Sequence, residues 1–491
     1  MGQTAVYGLP SIVGRLVSFL LTPLLTGVLD TSSFGIMTNL FVYIAFFLAL
    51  LTWGMETAVF HFSNRLPENE RVFSTAFLFN SFLGILFLAI SLLFAAPLAV
   101  WLKYPGHGEY IVYMALIIAF DVLTAVPMAK LRHTSQPIRF SLINLAGILL
   151  NIFLVIFFLI YCKNIHRASH GSQPAWLEWI YNDNIGVGYV FIANIAASAF
   201  KFLLAFPVLK LRSLEYDREL LRQMLGYSTP LAVASICFII NEKADTVIMK
   251  FLLPEKEADA TVGVYGAVYK LAIIMNIFIQ AFRFAAEPFF FSLRSEGDAR
   301  MVYARVLNYF TGLCLLIFLL VSLFINQFKY FLQNPDYWAG LGIVPVLLLA
   351  NLFSGIYQNL SMWYKLSGKT FFGMWFSILG AFITIGLNFL FIPLFGYVGS
   401  AWATLICYLS MSLISYAAGQ KNYPIPYQPS KVLLYIVAAL IIFGTHQFIP
   451  KYSLAGEFFA GLAGLIIFSL IFIRSEKDLK NALLKWIPLK R

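Results

Sequence analysis

The chain of 491 residues is 60% hydrophobic and only 12% charged, with a mean hydropathy of +0.81. A soluble chain of this size needs about a quarter charged residues to cover its surface, so a soluble enzyme is excluded. The net charge of +11 does not mark a nucleic-acid binder, because the basic residues sit in short connections between apolar runs and not on one face of a soluble module.

In chain order, apolar runs bounded by polar or Gly/Pro clusters predict membrane helices over 5–28, 34–60, 75–101, 110–130, 140–161, 185–209, 224–251, 263–291, 303–326, 340–364, 371–393, 398–418, 432–449 and 456–473. Fourteen helices of ~20 residues would use ~280 residues, close to the hydrophobic share, which leaves no room for a second globular domain. The first run has no basic residue before Arg15 and no small-residue cleavage site, so it reads as a retained helix and not a signal peptide. Cys162, Cys237, Cys314 and Cys407 are far apart, which indicates neither a disulfide framework nor a zinc site. With the N-terminus inside, the cytoplasmic connections carry 21 Lys/Arg and the outer ones 6. The positive-inside rule then puts both termini in the cytoplasm of a multi-pass cytoplasmic-membrane protein.

Two connections read as interfacial. Leu214, Leu221 and Leu225 recur beside Arg212, Arg218 and Arg222, which predicts an amphipathic cytoplasmic linker over 210–223 lying on the inner leaflet. The basic tail, 474–491, repeats the pattern with Leu479, Leu483, Trp486 and Ile487 opposite Lys477, Lys480 and Lys485. The longest outer connection, 162–184, offers Trp176, Trp179 and Ile180 as an aromatic anchor and is too short for a catalytic domain.

A weak internal repeat divides the chain. Pro10 matches Pro230, Phe34-Gly35 matches Val262-Gly263, Phe60 to Ser63 matches Phe289 to Ser292, Asn151 matches Asn388, and Gly186-Val-Gly-Tyr matches Gly396-Tyr-Val-Gly. The expected architecture is all-α: a six-helix bundle over 1–209, a second over 224–418 in the same orientation, and two further helices over 432–473.

Charge inside the bilayer carries the most information, since each central Arg, Lys or Asp costs about 2.5–3.5 kcal/mol on insertion scales. The basic set is Arg15, Lys201, Lys243, Lys250, Lys270, Arg283 and Arg305; the acidic set is Glu56, Asp121, Glu242, Asp245 and Glu287. Lys250, Arg305 and Glu56 lie near helix ends, where a long side chain can snorkel to the interface. Glu242 and Asp245 share a helix face at i,i+3, with Lys243 pointing elsewhere. Two readings of this cluster stay open: carboxylates that exchange H⁺ or Na⁺ in a wet cavity, or structural ion pairs such as Asp245 with Lys270 or Arg283. Arg15 lies between Pro10 and Pro23, residues that kink helices beside cavities, and its planar fork suits a phosphate.

Other motifs carry nothing. Ser367-Gly-Lys-Thr370 resembles the end of a phosphate-binding loop, but position 363 is Trp where the first glycine belongs and no strand precedes it. His166 and His170 have metal-like spacing without carboxylate or cysteine support. No cofactor or metal is expected.

The run Glu219-Leu-Leu-Arg-Gln-Met-Leu-Gly-Tyr-Ser-Thr-Pro-Leu231, then Lys243-Ala-Asp245, then Val262-Gly-Val-Tyr-Gly-Ala-Val-Tyr-Lys-Leu271, resembles the polysaccharide-transporter branch of the multidrug/oligosaccharidyl-lipid/polysaccharide exporter superfamily. So do Leu387-Asn-Phe-Leu-Phe-Ile-Pro-Leu-Phe-Gly-Tyr-Val-Gly-Ser-Ala-Trp-Ala-Thr404 and the opening Leu20-Leu-Thr-Pro-Leu-Leu25 with Phe34-Gly35. The resemblance implies a flippase, not an enzyme. It would carry polyprenyl-pyrophosphate-linked oligosaccharides to the outer leaflet by alternating access of two six-helix bundles, for surface polysaccharide or lipopolysaccharide synthesis, among membrane lipids and other polysaccharide-assembly proteins. Extracting the prenyl tail would cost ~0.8 kcal/mol per CH₂, so the tail should stay in lipid while the head crosses a hydrated, net-positive crevice.

By position, Arg15, Lys270, Arg283 and Lys243 are the head-group candidates; Asp245, Glu242, Glu287 and Asp121 are candidates for ion coupling or structural pairing. Asp245 matches the recurrent helix-seven aspartate, but Thr246 stands where family members often carry a basic residue. Three rival readings remain: a cation-coupled multidrug exporter, a lipid II flippase, and, from another class, a membrane glycan polymerase or ligase.

Overall fold

The structure is a computed structural model that describes residues 13–65, 69–168, 174–209, 215–292, 299–369, 371–448 and 454–476. Among these, every regular element is helical, and twelve helices are long and apolar enough to cross a membrane. In chain order we label the short apolar α1 (Val13–Val28), then α2 (Thr31–Ser63), α3 (Glu70–Leu93), α4 (Gly108–His133), α5 (Pro137–Ala168), α6 (Gly188–Leu209), α7 (Arg218–Leu252), α8 (Glu255–Ser292), α9 (Ala299–Leu323), α10 (Pro335–Leu366), α11 (Phe371–Asn422), α12 (Pro429–Gln447) and α13 (Gly456–Ser475). The protein is a multi-pass membrane protein.

Local chemistry sets where these helices start. Asp30 caps α2 by accepting the Ser32 N–H at 3.2 Å, and Asp217 caps α7 by accepting the Leu220 N–H at 3.0 Å. α2 is interrupted by Trp53 and Gly54, both in the left-handed region with φ of 46° and 67°. There the Trp53 indole donates to Thr229 of α7 at 3.1 Å, which holds the bend in place. α5 carries a π-helical turn at Phe157–Cys162.

The sequence predicts separate helices over 371–393 and 398–418, and α11 consists of two helical arms within its 52 residues, divided at Gly396, where φ is 58° and ψ −139°. Pro393 and Gly396 supply the break. A side chain added at Gly399 would collide with the carbonyl of Phe391. In a straight helix those residues would be ~12 Å apart, so the chain doubles back on itself here.

The chain forms two compact units. The first comprises residues 1–267, 334–337 and 371–403; the second comprises 268–333, 338–370 and 404–491. In the first, α2 and α8 cross at backbone contact: a side chain on Gly35 would collide with the Asp259 carbonyl, and one on Gly263 with the Thr31 carbonyl. The contact is reciprocal, since each glycine meets the residue four positions before the other. Gly266 against Thr38 extends the same register. These are the small-residue interfaces by which membrane helices gain packing without a hydrophobic driving force. In the second unit, Gly312 of α9 seats the Phe472 ring of α13, Gly355 of α10 seats Phe310 of α9, and the Asn351 amide donates to the Ala272 carbonyl at 3.1 Å.

The segment expected to lie on the inner leaflet does something else where it is described. Leu220, Leu221 and Met224 are buried in the first turns of α7 against Met55, Val59, Val72 and Phe73, with Leu225 packed beside them. The apolar stripe that the sequence assigns to lipid faces protein. Leu214 and residues 477–491 of the tail lie outside the described residues, as do Pro10 and His170.

Candidate functional site

Several charges in the first unit neutralise one another. The Lys201 ammonium of α6 meets the Asp121 carboxylate of α4 at 3.1 Å, and the lysine stem lies against Gly147 of α5, the only kind of residue that leaves it room. Asp121 therefore stands in an ion pair. Lys250 does not snorkel: it is buried, 2.6 Å from Asp259 across the α7–α8 turn, with its ammonium 4.3 Å from the centre of the Tyr104 ring. Glu56 is likewise tied down, by Arg132, and Glu70 pairs with the buried Lys130 at 2.6 Å. Desolvation makes such pairs a net necessity more than a source of stability, since removing one partner strands the other.

The α7 cluster splits by environment. Asp245 is 4% exposed and accepts the Tyr265 hydroxyl at 2.5 Å and the Thr246 N–H at 2.8 Å. The sequence offered Lys270 or Arg283 as its partner; the tyrosine of α8 provides the hydrogen bond instead. Glu242 and Lys243 are both partly exposed and approach only to 3.9 Å, a weak contact between chain neighbours. Asn241 ties α7 to α11 through the Ser377 carbonyl at 3.3 Å. On α11 the buried oxygens Thr384 Oγ1 and Asn388 Oδ1 have no hydrogen-bond partner among the described residues. Among the described residues no group of three or more His, Cys, Asp or Glu could hold a metal ion.

Arg15 is half-buried on α1 and has no ion pair among the described residues. In the second unit, Arg283 and Glu287 lie one turn apart on α8 and line a recess of about 20 Å³ with Gln358 and Asn359 of α10. That volume holds one water. Glu287 does not pair with Arg283; its carboxylate takes the Lys365 ammonium at 2.6 Å. Arg283 keeps only a cation–π contact, 5.9 Å from the Phe284 ring, and no carboxylate among the described residues. Lys270 is half-buried on the same helix, thirteen residues earlier, hence ~20 Å away along the axis and ~140° around it. The two cations cannot hold one phosphate together.

Sequence reasoning missed the partners Asp259, Tyr265 and Lys365. Lys365 sits in a cytoplasmic connection and Asp259 in an outer one by hydropathy, so neither entered the set of membrane charges. No one-dimensional signal links Lys365 to Glu287, 78 positions away.

Residues 24–165 match the family model of polysaccharide biosynthesis proteins. No curated protein matches the chain by sequence. Among solved structures, the lipid II flippase MurJ in an inward closed conformation has a TM-score of 0.67 at 14% identity, covering 96% of this chain and 99% of that one. A multidrug-resistance MATE transporter of the MOP superfamily, inward-facing, has a TM-score of 0.66 at 15% identity, covering 85% and 97%. By fold, the chain resembles MATE and MurJ transporters. A variant of the Vibrio cholerae MATE transporter VcmN has a TM-score of 0.59 at 14% identity, covering 86% and 96%.

Proposed function

We propose that this chain is a transporter of the MOP superfamily, a flippase that moves polyprenyl-pyrophosphate-linked oligosaccharide repeat units across the bacterial cytoplasmic membrane by alternating access. One observation carries the reading: Lys201 and Lys250 are neutralised by aspartates, whereas Arg15 and Arg283 have no carboxylate among the described residues. A protein that keeps guanidinium charge inside a bilayer while pairing Lys201 and Lys250 is built to meet an anion. Each cation ~4 Å from a phosphate oxygen is worth about 4 kcal/mol at an effective dielectric near 20.

In this reading Arg15 and Arg283, with Lys243 and Lys270, contact the head group in succession along the path and not as one cluster. Asp245, held by Tyr265, takes the coupling H⁺ or Na⁺, Glu242 stands beside it, and Glu287 and Asp121 hold structure through Lys365 and Lys201. The architecture is fourteen helices: α1, eleven further spans, and the two arms of α11, arranged as two six-helix bundles with α12 and α13 appended. The doubling-back at Gly396 and the reciprocal Gly35–Gly263 crossing support that duplication. The basic bias of one set of connections supports cytoplasmic termini, and other polysaccharide-assembly proteins are the natural partners.

Deleting the gene should abolish surface polysaccharide and accumulate lipid-linked repeat units on the inner leaflet; full-length surface glycan in the deletion strain would refute the assignment. A second reading, a lipid II flippase, is favoured by the near-complete mutual coverage with MurJ. It predicts lysis on depletion in place of loss of a dispensable surface glycan.

A further inference from the structure

The first unit contains a cavity of about 460 Å³ whose walls are almost wholly hydrocarbon, among them Phe47, Phe87, Ile90, Trp101, Val247 and Phe389. It opens sideways, for Trp101 is 68% exposed, Phe389 55% and Ile90 46%. Apolar cavities exclude water, and an open void of this size forfeits van der Waals contact along all its walls. In a bilayer the remaining filler is a lipid chain.

Two further features select the occupant. On α7 the cavity runs from Ile239 to Ile248, ~14 Å of helix, about half the ~30 Å hydrocarbon core and hence the depth of one leaflet's chain. At the end marked by Trp101 and Leu102, Lys103 sits with a left-handed backbone, φ 59°. Its ammonium donates to the Phe251 carbonyl at 3.1 Å and lies 5.8 Å from the Phe251 ring, which also faces Trp101. Lys103 has no carboxylate among the described residues, so its charge is offered at the mouth of an apolar slot.

We infer that this cavity binds the acyl chain of an anionic glycerophospholipid, its phosphate beside Lys103, in the leaflet reached by the α3–α4 and α7–α8 connections. With the proposed orientation that is the outer leaflet. The inference does not require the flippase reading.

The test uses full-length protein in phosphatidylcholine nanodiscs with a phosphatidylglycerol bearing a photoreactive acyl chain. Cross-links should concentrate on residues 87–101 and 239–248 and fall severalfold in Val247→Trp, which fills the slot. Lys103→Gln should erase a preference for phosphatidylglycerol over a phosphatidylcholine probe of about fivefold, equal to the ~1 kcal/mol of one ion pair at 4 Å in water. Should Val247→Trp fail to fold, brominated phosphatidylglycerol gives an independent readout: quenching of Trp101, taken as wild type minus Trp101→Phe. Uniform labelling of lipid-facing surfaces such as Leu203 and Ile441, without dependence on Lys103, would mean annular lipid only and overturn the proposal. So would displacement of the probe by polyprenyl phosphate but not by unlabelled phosphatidylglycerol, which would reassign the slot to the cargo's tail.

Discussion

The two halves of α8 treat charge and space in opposite ways. Its first half packs Gly263 on the backbone of α2, takes Lys250 onto Asp259, and gives the Tyr265 hydroxyl to Asp245, so that every polar group named there has a partner. Its second half leaves Arg283 half-buried at a small recess, with its neighbour Glu287 committed to Lys365. The first half is built as structure. The second keeps a cation unspent, and that difference between the two halves of one helix separates a charge held in a pair from one that the proposed function makes available to a substrate.

Five single substitutions sharpen the contrast, the first four running from the largest effect on stability to the smallest. Lys250→Ala strands a buried Asp259 and should cost about 3–5 kcal/mol, seen as a lower unfolding temperature in detergent. The double variant Lys250→Met with Asp259→Leu should recover most of that loss, and a double-mutant cycle checks it. Gly263→Leu drives a side chain into the Thr31 carbonyl and should cost on the order of 1–3 kcal/mol or more, again by thermal unfolding. Tyr265→Phe removes a hydrogen bond to a buried carboxyl and should cost about 1.5–3 kcal/mol. Arg71→Ala, which breaks an exposed pair with Glu215 at 2.9 Å, should change stability by about 0–1 kcal/mol and leave complementation intact. Arg283→Ala inverts this order: a small stability change accompanied by loss of surface polysaccharide in a complementation assay. If Arg283→Ala instead destabilises the protein as strongly as Lys250→Ala, the two halves of α8 are alike and the contrast fails.

Much of the fold is legible in the sequence, because hydropathy over ~20 residues reports spans directly. Every described span falls within a few residues of an apolar run, and the two runs that merge into α11 are separated by the Pro393 and Gly396 that break it. The matched glycines Gly35 and Gly263 meet in space, a contact that local similarity hints at but distance in sequence hides. The site was less legible. Intramembrane position marked Arg15, Arg283 and Asp245 as costly, yet whether each cost is met by a partner depends on residues 20 to 80 positions away. Thus Lys250 reads as a snorkelling end residue and is in fact buried with Asp259, and the leucines near Arg218 read as lipid-facing and in fact pack on α2 and α3. Periodicity tells that a face is apolar; it does not tell whether lipid or protein covers it.

The most direct test of unpartnered cations as the cargo's contacts is a flipping assay in proteoliposomes, with fluorescent polyprenyl-pyrophosphate oligosaccharide and a membrane-impermeant quencher. The account predicts rapid loss of quencher-protected signal with wild-type protein, at least tenfold slower transfer by the folded Arg15→Ala, Arg283→Ala double variant (about 1.4 kcal/mol, well under the electrostatic gain assigned to the pair), and near-normal transfer by Arg71→Ala. Wild-type rates in the double variant would contradict it.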